Sequence, residues 1–481
     1  MGAAAGEAGD DGPSLPLAGR ERVLEHATEL ILEAWRSFDR ARPGQPLPGE
    51  RHIELLSRPL PAEPSDPTAA LDAAADVLDV SLAQARPRWF AYIGSSGLEI
   101  GVLGDALMAS HDVNVATSSG AAELVEDQTI RWVGQFVGFD EDAHGLMAAG
   151  GTISNLTALT AARERAAPGV RRHGMSAQRM ALYCSEEAHY SVRRAAEVLG
   201  IGADNVRAIP ITRPGRHMDS AACAQAIDRD RAAGVVPVAV VATSGTTLTG
   251  AVDRLDELAD VCSARGVWLH VDGAYGLPAA ATARAGGAFR GLERADSATV
   301  DAHKWLYVPK SCSVLLVHDA DALVRAFSHH EGYIPHEESL HAVDRTLEYS
   351  RPLSALKLWL AFTVHGADRI RAAIERNLEE AELLAALLAA DERFELLMDP
   401  PLSVVCFRRV CGDAAACDEH QRELARALVE DGRLLIAPAE ADGATWLRAC
   451  FVNHRTTEQD VRAIPEVVGE VSDALLAGRV A

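Results

Sequence analysis

Lys304 stands in the run ADSATVDAHKWLYVPK, directly after His303, and Asp272 closes the apolar stretch VWLHVD upstream of it. A lysine that forms an imine with a pyridine aldehyde needs a partner carboxylate on the ring nitrogen. A buried carboxylate at a strand end keeps that nitrogen protonated, so that the ring accepts electrons from a carbanion. Three further segments supply the surroundings of such a ring. Gly150, Gly151 and Thr152 open a predicted helix, where glycine lets the backbone approach an anion and the helix N-terminus offers free N–H groups. His189 follows a predicted strand and can stack on one ring face, while Ala274 is small enough to lie beneath the other. Thr246 follows Gly245 at the carboxyl end of another predicted strand.

Each segment alone has a plainer reading. A Gly-Gly-Thr before a helix is an ordinary N-cap, His189 a surface or capping histidine, and Thr246 a turn residue. Asp272 alone reads as a helix cap and Lys304 as an exposed lysine. The order of all five (anion turn, histidine, threonine turn, aspartate, lysine) points to pyridoxal 5′-phosphate as cofactor.

The elements that must position these residues alternate. Apolar strands are predicted at 180–184, 235–243, 267–272, 297–300 and 312–317, with helical stretches at 152–166, 189–199 and 253–265 between them. That alternation predicts an α/β unit with a mostly parallel sheet, and Asp272 falls at a strand end, where ligands bind in such sheets. A helix is expected over 352–391, bent near Gly366, followed by strands in LSVVCFRR, RLLIAP and TWLRACF and a final helix from Thr457. The expected division is a tail and helical dimerisation segment over 1–89, a large cofactor-binding domain over 90–365 and a smaller α+β domain over 366–481.

Net charge is −23 over 481 residues, which argues against nucleic acid or an anionic membrane as partner. The N-terminus MGAAAGEAGDDGPSLP has no basic segment before an apolar core, and no apolar run is long enough to span a bilayer. Eight cysteines form no CxxC pair; they read as reduced cytoplasmic thiols with no metal site.

The chain resembles the group II pyridoxal-phosphate-dependent amino-acid decarboxylases over roughly residues 85–465, most specifically in HVDGAYG, DAHKWL and SRPLSALKLWLAF. The resemblance implies the aspartate-aminotransferase fold type and a homodimer with active sites at the interface. It implies the Schiff-base role for Lys304, the pyridinium carboxylate for Asp272, ring stacking for His189 and the small residue opposite for Ala274. It assigns phosphate contacts to Gly151, Thr152 and His303, a pocket threonine to Thr246, and the substrate-carboxylate arginine to Arg448. RWFAYIGSSG resembles the aromatic branch, which puts Tyr92 at the substrate and slightly favours an aromatic L-amino acid. HDVNVATSSGAAE, however, lacks aromatic residues, so an acidic or other substrate stays open. Asp301-Ala302 stands where the family often has Asn-Pro, and Asp301 is expected to face away from the phosphate. The loop YIPHEESLHAVDRTLEY carries four candidate proton donors, Tyr333, His336, His341 and Tyr349. Without a tyrosine in mid-loop, decarboxylation-dependent oxidative deamination to an aldehyde is the alternative outcome.

Overall fold

The computed structural model describes residues 14–15, 17–38, 48–81, 84–116, 119–175, 178–329, 341–412 and 414–480. Residues 1–13 of the expected tail, and Tyr333 and His336 of the expected donors, lie outside these described residues.

Seven strands form the larger sheet: β1 (His144–Ala148), β2 (Met180–Ser185), β3 (Val206–Ile209), β4 (Val236–Thr243), β5 (Trp268–Asp272), β6 (Ser297–Val300) and β7 (Ser313–Val317). Their order is β1-β7-β6-β5-β4-β2-β3. The pairs from β3 through β6 are parallel; β7 runs antiparallel to both β6 and β1. The five predicted strands are β2 and β4–β7. β3 escaped sequence reading because it is a half-exposed edge strand carrying Arg207. β1 is short and contains Gly145.

The sheet is covered on both faces, which is why its strands read as continuous apolar runs. Val240, Ala242, Leu269, Val271, Ala298 and Val300 point into one core. Ala239, Val241 and Trp268 point into the other, against Ala158, Leu159, Ala161 and Ala162 of the helix Gly151–Ala166. By the same alternation, His270, Asp272, Ser297 and Thr299 share that second face, and all four are buried. A buried polar group left without a partner costs roughly 1–3 kcal/mol, so this face needs a partner set.

A second, antiparallel sheet follows: β8 (Phe394–Leu396), β9 (Val404–Arg409), β10 (Ala437–Ala441) and β11 (Ala444–Cys450), ordered β10-β11-β9-β8. The helix Ala355–Ala389 leads into it and is interrupted at Gly366, where φ is 72°. That positive φ is available to glycine at little cost and accounts for the expected bend. The last helix is Glu458–Val480.

Candidate active site

The five sequence motifs meet at one cavity of about 440 Å³ at the carboxyl ends of the parallel strands. Its wall includes Gly150, Gly151, Thr152, His189, Asp272, Ala274, Asp301, His303 and Lys304.

Lys304 lies in the short helix Ala302–Trp305 directly after β6. The fully buried Trp305 clamps this turn: its ring stacks on Tyr275 at 5.1 Å, and its Nε1 donates to Asn377 Oδ1 at 3.0 Å. Tyr307 donates to the same oxygen at 2.8 Å. Lys304 Nζ sits 2.9 Å from Asp301 Oδ2. Asp301 therefore does not face away, as the sequence led one to expect. It lines the cavity, 2% exposed, and its Oδ1 is buried without a hydrogen-bond partner. Burial pushes the Asp301 carboxyl up, but Lys304 and His303 outweigh it and hold it below the usual range.

His303 Nδ1 donates to the Cys312 carbonyl at 2.9 Å, and burial lowers its pKa. Lys310, which sequence reasoning did not single out, also lines the cavity; burial and then the Lys304 charge lower its pKa.

The helix Gly151–Ala166 points its N-terminus at the cavity, and Gly150 caps it with no side-chain hydrogen bond. Uncapped N–H groups at a helix start form an anion site. A Cβ on Gly151 would meet Ala274 Cβ and Asp301 Oδ2, both at 3.0 Å, so a side chain here would have to push both neighbours aside. The anion turn, a cationic amine, a buried carboxylate and the orphaned Asp301 and Thr243 oxygens suit a phosphorylated, cationic aromatic ring. The residues present thus fit pyridoxal phosphate.

Asp272 is 5% exposed and accepts from Asn155 Nδ2 at 2.9 Å and from the Ala274 amide at 3.3 Å. Asn155 also donates to Ser191 Oγ at 3.0 Å, and Ser191 Oγ lies 2.9 Å from His189 Nδ1. Burial lowers the His189 pKa. Asn155, Ser191, His270 and Thr299 were missed from the sequence. A signal existed: polar residues at alternate positions of the otherwise apolar strands β5 and β6.

Two candidates stand behind the wall. Thr246 Oγ1 contacts Thr249 Oγ1 at 3.0 Å and accepts from the Ala251 amide at 3.2 Å, inside its own turn. Arg448, on β11, donates from Nε to the Thr247 carbonyl at 2.6 Å and from Nη1 to the Tyr92 carbonyl at 3.0 Å. Its Nη2 is buried with no hydrogen-bond partner. The Tyr92 side chain is 59% exposed and lines a separate cleft beside β10. Of the loop candidates, His341 is buried with Nδ1 4.0 Å from Glu123 Oε1, and Tyr349 is exposed.

The pyridoxal-dependent decarboxylase conserved domain matches residues 49–410. The aromatic-L-amino-acid decarboxylase of Bacillus atrophaeus is 33% identical over 388 residues, 79% of each chain. The L-2,4-diaminobutyrate decarboxylase of Rhizobium meliloti is 34% identical over 360 residues, 74% of this chain and 71% of that one. The crystal structure of Oryza sativa TDC with PLP and tryptamine superposes with a TM-score of 0.89 at 25% identity, covering 96% of this chain and 99% of that one.

Proposed function

The chain belongs to the pyridoxal-dependent decarboxylase family and is a pyridoxal-phosphate-dependent amino-acid decarboxylase of the aspartate-aminotransferase fold type, and from that premise we propose that Lys304, Asp272 and His189 carry its chemistry. The observation that carries the assignment is the meeting of the five motifs at one cavity.

Bound pyridoxal phosphate supplies an aldehyde for amine exchange and a cationic ring that takes up the electron pair left by departing CO2. Lys304, whose amine lines the cavity, would hold the aldehyde of the bound cofactor. Asp272, which accepts from Asn155 Nδ2 and the Ala274 amide, would hold the proton on the ring nitrogen. His189 and Ala274, both in the cavity wall, would lie on the two faces of the ring. The first N–H groups of the helix at Gly151 and Thr152, with His303, bind the phosphate. Arg448 keeps the substrate-carboxylate role on its one unpartnered nitrogen, the buried Nη2, although it stands behind the cavity wall in this structure; the Thr247 and Tyr92 carbonyls hold its Nε and Nη1. His189 delivers the proton to the α-carbon, because Ser191 occupies its Nδ1 and leaves the proton on Nε2.

The substrate is an L-amino acid, with an aromatic side chain placed first. Relatives named for aromatic amino acids and for tyrosine support that choice, while others are named for acidic amino acids and diaminobutyrate. The test is an amino-acid panel on cofactor-loaded enzyme, following CO2, amine and peroxide together. Amine equal to CO2 without peroxide is expected. Peroxide with aldehyde would replace this reading by oxidative deamination.

The working form is a homodimer. Leu103 and Leu107 on the helix Glu99–His111, and Leu24, Leu56 and Leu78 on the N-terminal helices, are exposed and would be covered by a second copy. Sedimentation at the mass of one chain would refute it. The cytoplasmic assignment is supported by eight unpaired cysteines, and no helix among the described residues is long and apolar enough to cross a membrane. Disulfides found in the native protein would overturn it. The domain boundary at 365/366 is supported by the break at Gly366, whereas Phe90 packs in the core of the smaller sheet, which does not favour the boundary at 89/90; limited proteolysis confined away from Gly366 would count against the division.

A further inference from the structure

The register of β5 and β6 sets His270 beside Ser297 and Asp272 beside Thr299. These four polar side chains form a block on one face of the sheet, and Asn155 of the helix Gly151–Ala166 lies over it. Asn155 is 1% exposed, and its amide uses all of its hydrogen-bonding capacity. It donates to Asp272 Oδ2 at 2.9 Å and to Ser191 Oγ at 3.0 Å. Its Oδ1 accepts from Thr299 Oγ1 at 2.8 Å and from His270 Nε2 at 3.0 Å.

The directions of these bonds follow from one fact: an ionised carboxylate only accepts. Asn155 must therefore turn its NH2 to Asp272 and its oxygen to Thr299 and His270. Thr299 then donates, and His270 carries its proton on Nε2. His270 Nδ1 accepts from Ser297 Oγ at 2.8 Å, and Ser297 in turn accepts from Trp268 Nε1 at 2.8 Å. Burial lowers the His270 pKa to about 4, which agrees with this single-proton pattern. On the other arm, Ser191 Oγ receives Asn155 and turns its hydrogen to His189 Nδ1 at 2.9 Å, which also accepts from the Ser191 amide at 3.3 Å.

We propose that Asn155 is the positioning residue of the cofactor site: one amide holds the Asp272 carboxylate as an acceptor aimed at the ring nitrogen and, through Ser191, keeps the His189 proton on Nε2. This rests on the cofactor reading given above. Removing the amide takes the Asn155 hydrogen bond from Asp272 Oδ2 and leaves Ser191 free to donate elsewhere. Each group is then left with one longer anchor, the Ala274 amide on Asp272 and the Ser191 amide on His189, both at 3.3 Å, although Asn155 itself touches no reacting atom.

The test compares wild type, Asn155→Ala, Thr299→Val and Asp272→Asn as loaded enzymes. Cofactor loss is followed by absorbance after dilution into an aldehyde scavenger, together with kcat, KM and melting temperature. Asn155→Ala is expected to shed cofactor roughly 10- to 100-fold faster, the span seen when residues that orient ligands are removed from metal sites. Its kcat falls while KM stays near wild type. Reloading with N-methylated pyridoxal phosphate, whose ring charge is permanent, is expected to narrow the kcat deficit. A lower melting temperature with wild-type cofactor retention would mean a merely structural role and overturn the proposal. If Asn155→Ala does not fold, Thr299→Val decides: faster cofactor loss supports the proposal and wild-type retention overturns it. If Asp272→Asn retains both cofactor and kcat, the reading of the site itself fails. If Asp272→Asn is impaired and Asn155→Ala is not, only the role of Asn155 fails.

Discussion

Lys304 and Asp301 form an ion pair at 2.9 Å in the cavity wall, and the aspartate is almost wholly buried. Breaking such a pair from one side leaves a buried charge without its partner. Lys304→Ala therefore has two consequences. It removes the amine that holds the cofactor, and it leaves Asp301 facing only His303 Nε2, 3.8 Å away on a ring whose pKa burial lowers. The expected result is loss of the absorbance band of lysine-bound cofactor and a fall in kcat of about 10³-fold or more. An alanine variant that stays yellow and active would contradict the assignment. At this scale Lys304, Asp272, His189 and the Gly150–Thr152 turn were legible in the sequence, because their types are chemically distinctive and their order is constrained. Asn155 was not, because an asparagine inside a helix is chemically ordinary until the strands beneath it are known. Asp301 was misread because its orientation is set by Lys304, one turn away.

Among the elements, the turn after β4 packs closely against the turn after β5. Ser244 N bonds the Asp272 carbonyl at 2.9 Å, and Gly276 N bonds the Ser244 carbonyl at 3.1 Å, tying this turn to the one after β5. Gly245 sits between them with φ +99°, and a Cβ there would lie 2.9 Å from Gly276 Cα. Gly245→Ala meets both an unfavourable backbone conformation and a backbone atom that cannot step aside. The expected cost is about 1–3 kcal/mol, read as a lower melting temperature. Because Gly245 and Tyr275 both line the cavity, weaker cofactor retention should accompany it. An unchanged melting temperature would mean that the two turns are not coupled. The strands around this turn were legible from their apolar runs. That β7 and β1 turn antiparallel was not, because pairing direction leaves no mark on composition.

Across the whole molecule, stability should depend on pH through buried groups outside the catalytic set. Burial raises the Glu380 pKa from 4.5 to about 8, although Asn377 Nδ2 donates to it at 2.9 Å. The folded chain thus holds a proton there that the unfolded chain has released. This contribution is fully present below pH 4.5 and is lost as pH rises from 4.5 to 8. Burial lowers His270 and His454 from 6.5 to about 4, and their contribution has the opposite sign: it is present above pH 6.5 and lost as pH falls towards 4. Melting temperature should therefore fall on both sides of an intermediate optimum. Glu380→Gln should flatten the alkaline limb and steepen the acid limb between pH 4.5 and 6.5, where the glutamate opposes the two histidines. A variant whose alkaline limb keeps its slope would assign that limb to other groups. Asn377 also accepts from Trp305 and Tyr307, so the same cluster braces the segment that carries Lys304.

What the sequence by itself determined is the chemistry: a lysine, a carboxylate, an aromatic face and an anion turn, in the order and on the elements that a pyridoxal-phosphate site needs. Local rules suffice there, because strand ends, helix starts and glycine turns are set by neighbours in the chain. The tertiary structure decided which of those groups meet the cavity, that Thr246 and Arg448 stand behind its wall, and that Asp301 turns inward to Lys304. It also decided the proton pattern around Asp272, because that depends on the register of β5 against β6 and on the helix laid across them. Contacts between segments more than a hundred residues apart, such as Asn155 with Asp272 and Thr299, leave no trace in local periodicity.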